Sequence, residues 1–116
     1  MFIGALLGGV GVGLGAFGAH GLRQRLSPDM LAVFETGARY QMYHALALLA
    51  VAALLTRSDA TRALTCAGWS FTAGTFIFSG SLYLLALTGV STLGAITPIG
   101  GVAFLAGWLS LAIAAW

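Results

Sequence analysis

Hydrophobic residues fill four long stretches of this chain, and short polar segments separate them. The first stretch, residues 2–19, is apolar or small and lies in a region without a charged side chain. As a helix it would be about 27 Å long, close to the roughly 30 Å thickness of the hydrocarbon core of a bilayer. It therefore predicts a membrane-spanning helix. A cleavable signal peptide is the alternative, but no Lys or Arg precedes the apolar run.

A second helix begins at Ser27–Asp29, where a Ser cap, a Pro in the first turn and an acidic residue favour a helix start. A continuous helix from here to the next polar turn would measure about 43 Å, more than a bilayer needs. We therefore predict a short interfacial helix over residues 28–36, with Leu31 and Phe34 facing lipid. A bend at Gly37 would then lead into a second span over residues 38–55.

Beyond the polar turn Arg57–Arg62, the chain has no Asp, Glu, Lys or Arg. One helix of that length would measure about 81 Å, so this part must contain two spans. Gly and hydroxyl residues cluster over residues 88–92, and this break separates a span at 63–87 from one at 94–115. The predicted fold class is an all-α membrane protein. The whole chain forms one domain, a bundle of four transmembrane helices with the short interfacial helix before the second span.

The composition supports lipid as the solvent for this protein. Hydrophobic residues make up 59% of the chain and charged residues 7%, whereas a soluble domain carries about 25% charged residues. The net charge of +2 is too small and too scattered for a nucleic-acid surface, so we predict a lipid bilayer and no nucleic acid as the environment. A single cysteine, Cys66, excludes an intrachain disulfide.

Small residues provide the predicted contacts between the spans. Helices in lipid associate through close packing and interhelical hydrogen bonds, since lipid supplies no hydrophobic force between them. The first span offers more glycine surface than one bundle needs, so we expect a homo-oligomer or a membrane-protein partner. Pro98 should kink the fourth span, because proline removes a hydrogen-bond donor. The predicted helix-packing positions are Gly4, Gly8, Gly11, Gly15 and Gly107.

Polar side chains inside a membrane-spanning segment are costly and are therefore functional candidates. His44 lies about one turn inside the second span and shares a helix side with Tyr40 and Gln41. Because imidazole titrates near neutral pH, this patch predicts a site that binds or passes a proton or small solute. The alternative is a neutral imidazole that bonds Ser79 or Ser81 and only specifies packing. The candidate polar site comprises His44, Tyr40, Gln41, Arg39, Glu35, Ser79, Ser81 and His20.

For the remaining ionisable residues we predict structural roles and no catalysis. Glu35 and Arg39 are spaced i, i+4 in the order that favours an ion pair. His20 ends the first span at the membrane interface. No nucleophile–base pair or metal-ligand cluster is visible, so we predict no enzyme activity, catalytic residue, metal or cofactor. A haem between His20 and His44 would need a cavity that crowded glycine helices do not leave.

Five segments, spread over most of the chain, together resemble one known protein family. In chain order they are Gly15–Leu22, Tyr40–Leu46, Phe78–Tyr83, Thr97–Gly101 and Leu105–Trp108. The resemblance is to the domain-of-unknown-function family 423, also called the uncharacterised protein family 0382, of small membrane proteins. It implies a multi-pass protein of the bacterial cytoplasmic membrane and no assigned activity. Some members carry a basic tail after the last span, which implies a cytoplasmic C-terminus, and we expect both termini on that side.

Overall fold

The computed structural model describes all 116 residues and contains helices without strands. This confirms the prediction of an all-α protein with four main helices. A short 3-10 helix, Ser91–Ala95, precedes the last of them. The main helices are α1 (Phe2–His20), α2 (Pro28–Leu54), α3 (Thr61–Thr88) and α4 (Thr97–Ala115).

The local signals in the sequence mark two helix ends. The Ser27 side chain accepts a hydrogen bond from the Met30 backbone N–H at 3.2 Å, which caps the start of α2. At the end of α3, Gly89 adopts a left-handed φ of 70°, a conformation that glycine adopts without the strain of a side chain. α3 therefore ends inside the break that the sequence predicts.

α2 is one unbroken helix that continues through Gly37, so the predicted separate interfacial helix does not occur. An isolated glycine costs a helix only about 1 kcal/mol relative to alanine, and tertiary contacts offset that here. A Cβ at Gly37 would lie 2.9 Å from the Tyr83 ring, and the Gly37 carbonyl accepts a hydrogen bond from Ser79. Phe34 does not face lipid either: it is 1% exposed and packs against Leu22.

Pro98 does not kink a continuous span. It lies in the first turn of α4, where its missing N–H removes no helical hydrogen bond. The preceding 3-10 helix ends at Ala95 and α4 begins at Thr97. The predicted kink is therefore a boundary between two helices.

Each helix packs antiparallel to the one before it. Gly4 packs against Leu48 and Gly18 against Phe34, so α1 and α2 are antiparallel, and the later pairs follow the same pattern. α1 has no extensive contact with α3 or α4, whereas α4 contacts α2 as well as α3, because Phe104 stacks on His44. The molecule measures 49 × 26 × 17 Å. Both termini and the turn between α2 and α3 lie at the same end of the molecule.

Three helical segments are long and apolar enough to cross a membrane: Phe2–His20, Thr61–Thr88 and Ser91–Ala115. α2 is not among them. Its first half carries charged residues, including Glu35 and Arg39, which lower its hydropathy.

The glycines of α1 differ in how closely they approach α2. A Cβ at Gly4 would lie 3.0 Å from the Ala45 carbonyl oxygen, and one at Gly11 would lie 3.4 Å from a side-chain carbon of α2. Gly8 is looser, at 3.9 Å from Ala45. A Cβ at Gly15 would meet nothing within 4 Å, so its predicted packing role is wrong. The close contact returns at Gly18, where a Cβ would lie 3.0 Å from the Phe34 ring.

The closest helix contact joins α3 and α4, and the predicted packing position Gly107 lies in it. A Cβ at Gly107 would lie 2.6 Å from the Phe71 ring. At Gly100 it would lie 2.7 Å from the Phe78 Cβ and 2.8 Å from its Cα. Gly74 faces a phenyl ring of α4 in the same way. These glycines let the two helices approach closely enough to place α4 against α2 as well.

Candidate functional site

His44 lies where α2, α3 and α4 meet and is 4% exposed. Its ring stacks on Phe104, with centroids 3.5 Å apart and planes 3° apart. The Trp108 indole N–H donates to His44 Nε2 at 3.2 Å. Because Nε2 is then the acceptor, Nδ1 carries the imidazole proton and donates to the Tyr40 carbonyl at 2.8 Å. Groups of the protein itself therefore occupy both ring nitrogens.

Gln41 belongs to a different contact, although the sequence places it beside His44. Its Nε2 donates to the Leu7 carbonyl of α1 at 2.8 Å. Its Oε1 accepts a hydrogen bond from the Tyr83 hydroxyl of α3, also at 2.8 Å. The predicted Tyr40–Gln41–His44 patch is thus divided, because Gln41 joins α1, α2 and α3 whereas His44 faces α4.

Ser79 and Ser81 do not bond His44, so that predicted pairing is wrong. Ser79 Oγ donates to the Gly37 carbonyl of α2 at 2.7 Å. Ser81 Oγ shares a hydrogen bond of 2.7 Å with Thr97 Oγ1 at the start of α4. Both serines lie nearer the C-terminal end of α3 than Phe71 does. Phe71 is the α3 residue whose ring packs against His44. They link α3 to its two neighbours.

A groove of about 600 Å³ lies beside His44 on the outer surface of α2, α3 and α4. Aromatic rings dominate its lining. A Cβ at Gly101, on its wall, would meet nothing within 4 Å, so the groove has space at that position. The aromatic lining residues are Tyr40, Tyr43, His44, Phe78, Phe104 and Trp108.

The remaining candidates lie away from this centre. Glu35 and Arg39 are exposed on α2, and no ion pair joins them in the structure. His20 is exposed at the end of α1. No group of three or more His, Cys, Asp or Glu side chains is placed to hold a metal ion.

One partner in these contacts was missed from the sequence, Trp108. It is 64 residues from His44, and no local pattern connects the two. One signal was available, since Trp108 lies within a segment that carries the family resemblance, Leu105–Trp108.

Comparisons with known proteins agree with that resemblance. The model of a family described as "Protein of unknown function (DUF423)" matches residues 14–101. UPF0382 membrane protein YwdK of Bacillus subtilis (strain 168) is 49% identical over 99% of this chain and 94% of its own length. UPF0382 membrane protein SAB0533 of Staphylococcus aureus (strain bovine RF122 / ET3-1) is 48% identical over 98% of this chain and 92% of its own. No solved structure matches the chain. The chain belongs to the UPF0382 (DUF423) family of membrane proteins.

Proposed function

We propose that this protein is a non-enzymatic structural or assembly component of the membrane, whose buried polar groups fix how its helices pack. One observation carries the proposal: no buried side-chain nitrogen or oxygen lacks a hydrogen-bond partner. A site that binds or transfers a solute keeps a donor or acceptor free for it. In this protein these groups are used between helices, as in Gln41 and Ser79, or within one helix, as in Thr75 with the Phe71 carbonyl.

The polar contacts connect every helix to a neighbour. Gln41 bonds α1 and α3, Ser79 bonds α3 to α2, Ser81 bonds α3 to α4, and Trp108 bonds α4 to His44 of α2. Hydrogen bonds of this kind contribute about 0.6 kcal/mol each on average in membranes, with a maximum near 1.7. Their geometry specifies the register of each pair, which lipid cannot do.

A second candidate function is a site beside His44 that binds or passes a proton or small solute. The groove favours this reading, because its volume lies in the range of about 300–1,000 Å³ and its lining is the aromatic kind usual for small-molecule sites. In this case the Trp108 hydrogen bond to His44 would open to admit the solute. Gly101→Leu, whose side chain would extend into the groove, should then block the site.

Proton flux into vesicles separates the two candidates. We expect vesicles with purified protein and a trapped pH-sensitive dye to leak no faster than protein-free vesicles, with wild type and with His44→Gln. Glutamine keeps an acceptor for Trp108 but cannot gain or lose a proton near neutral pH. A faster leak with wild type that both His44→Gln and Gly101→Leu remove would contradict the structural role and support the second candidate.

The proposed topology has four membrane spans in the bacterial cytoplasmic membrane. α2 packs antiparallel between α1 and α3, and both of these are apolar enough to cross. The proposal therefore makes α2 the fourth span, with its start at Pro28 near the interface. An even number of antiparallel spans places the two termini on one side, and the proposal assigns that side to the cytoplasm.

Labelling of single cysteines in intact cells tests this topology. In a Cys66→Ser background, a membrane-impermeant thiol reagent should label Gln24→Cys in the turn after α1 and leave Asp59→Cys in the turn after α2 unlabelled. Both positions are exposed in the structure. Equal labelling of the two would show that α2 does not cross, and the reverse pattern would place the termini outside.

The exposed surface of α1 also fits the expected self-association. α1 contacts α2 extensively but not α3 or α4, and only four of its residues are buried, so most of its surface is open to lipid or to other helices. The proposed assembly role includes packing against further membrane helices, and a second copy of the same chain is the expected one.

A further inference from the structure

Along the direction of the helix axes, Arg39 lies near the middle of the molecule, as the register of α2 against α1 shows. Gly11 is the central residue of α1, and a Cβ there would lie 3.5 Å from Gln41 Nε2. Arg39 is two residues from Gln41, which is about 3 Å along the helix axis. α1 is itself a candidate span, so its midpoint marks the approximate middle of the bilayer. If α2 crosses as proposed above, Arg39 is rooted deep in the membrane.

The Arg39 side of α2 faces away from the other helices. At 100° per residue, Glu35, Arg39 and Leu46 lie within 40° of one another. Gly37 and His44, which face α3 and α4, lie on the opposite side. Glu35 and Arg39 are exposed, and Leu46 is 57% exposed. α2 therefore presents one acid and one base on an outer face that no part of this chain covers.

Lipid is a poor cover for such a face. Charged groups within the hydrocarbon region are costly, and they usually face a bundle interior or pair with one another. Glu35 and Arg39 form no ion pair with each other in the structure, so both charges are available to a second molecule. The rest of the face is apolar or small, with Leu46 and Ala50 following along the helix.

We propose that this outer face of α2 is the interface of a homodimer, with Glu35 of each copy paired to Arg39 of the other. The inference rests on the proposed membrane crossing of α2. Two copies inserted in the same orientation are related by a two-fold axis along the membrane normal, which keeps their α2 helices parallel and at equal depth. Parallel helix pairs commonly place an acid of one helix beside a base four or five residues further along the other. One acid and one base per copy thus complete two ion pairs, and the face is complementary to itself.

Charge reversal tests the pairing. In vesicles at low salt, energy transfer between labelled copies should report a dimer for wild type. Glu35→Arg and Arg39→Glu should each weaken dimerisation at least about tenfold, because like charges then face each other across the axis. The double variant Glu35→Arg, Arg39→Glu should restore it, since the two ion pairs re-form in exchanged positions. A monomeric wild type would overturn the proposal, as would a dimer that the single reversals leave unchanged.

Cysteine crosslinking tests the face without altering a charge. In a Cys66→Ser background, Leu46→Cys should form an intermolecular disulfide on mild oxidation. The matched control is Leu105→Cys on α4, which is 71% exposed and lies at similar depth, since Phe104 stacks on His44. Crosslinking at Leu105 without crosslinking at Leu46 would overturn the proposal by locating the contact on another face. Neither outcome bears on the vesicle proton leak, and cysteine labelling of the two turns tests the crossing of α2 separately.

Discussion

Gly100→Ala should destabilise the protein by about 1–3 kcal/mol, the usual cost of forcing an extra methyl group into a packed contact. A Cβ at this position would overlap the backbone of Phe78, 2.8 Å from its Cα, and helix backbone cannot rotate away as a side chain can. α4 would have to move off α3, which would also weaken the contacts of Phe104 and Trp108 with His44. Thermal unfolding in mild detergent, followed by circular dichroism, measures the effect.

The neighbouring residue provides the control. Gly101 is in the same helix, and a Cβ there would meet nothing within 4 Å. Gly101→Ala should therefore leave stability unchanged or raise it by up to about 1 kcal/mol, the helix preference for alanine over glycine. Equal melting temperatures for the two variants would show that α3 and α4 do not approach as closely as the structure indicates.

Gln41→Leu should cost about 1–2 kcal/mol, because it removes hydrogen bonds to both α1 and α3. It leaves the Tyr83 hydroxyl without its acceptor on α2. Each interhelical hydrogen bond in a membrane protein contributes about 0.6 kcal/mol on average and up to about 1.7. Adding Tyr83→Phe should cost little more, since the hydroxyl has already lost its partner. The combined loss should therefore be smaller than the sum of the two single losses.

The control for this pair of substitutions is a tyrosine whose hydroxyl makes no hydrogen bond to another helix. Tyr43 is 52% exposed, and Tyr43→Phe should change stability by no more than about 0.5 kcal/mol. Strict additivity of Gln41→Leu and Tyr83→Phe would show that the two side chains do not interact. Unfolding in detergent with increasing sodium dodecyl sulfate gives the free energies for all four variants.

The local features of the fold were predictable from the sequence. Three local features carried this information: the long apolar runs, the Ser27 cap and the break at residues 88–92. Each depends only on residues that are neighbours in the sequence, and together they predicted the helix positions to within a few residues. The unbroken course of α2 was not predictable in this way. Glycine at position 37 favours a break in isolation, and the contacts with Tyr83 and Ser79 explain why the helix continues there.

The candidate site was predictable in its residue types but not in its connections. The sequence singled out His44 and Gln41, because polar groups in an apolar span require partners. It assigned both to one patch, since they are close in helical angle. The structure separates them, because α1 and α4 approach α2 from different sides. α1 accepts a hydrogen bond from Gln41, and α4 donates one to His44.

The sequence alone determined that this protein belongs in a membrane, that it is helical, and which polar residues need partners. Hydropathy, helix length and hydrogen-bonding capacity are properties that each segment carries by itself. Tertiary structure decided that α2, α3 and α4 meet at His44, that Trp108 bonds His44, and that Glu35 and Arg39 remain on an outer face. These features depend on how closely two helix backbones approach each other. Glycines such as Gly100 allow that approach between segments that are distant in the sequence.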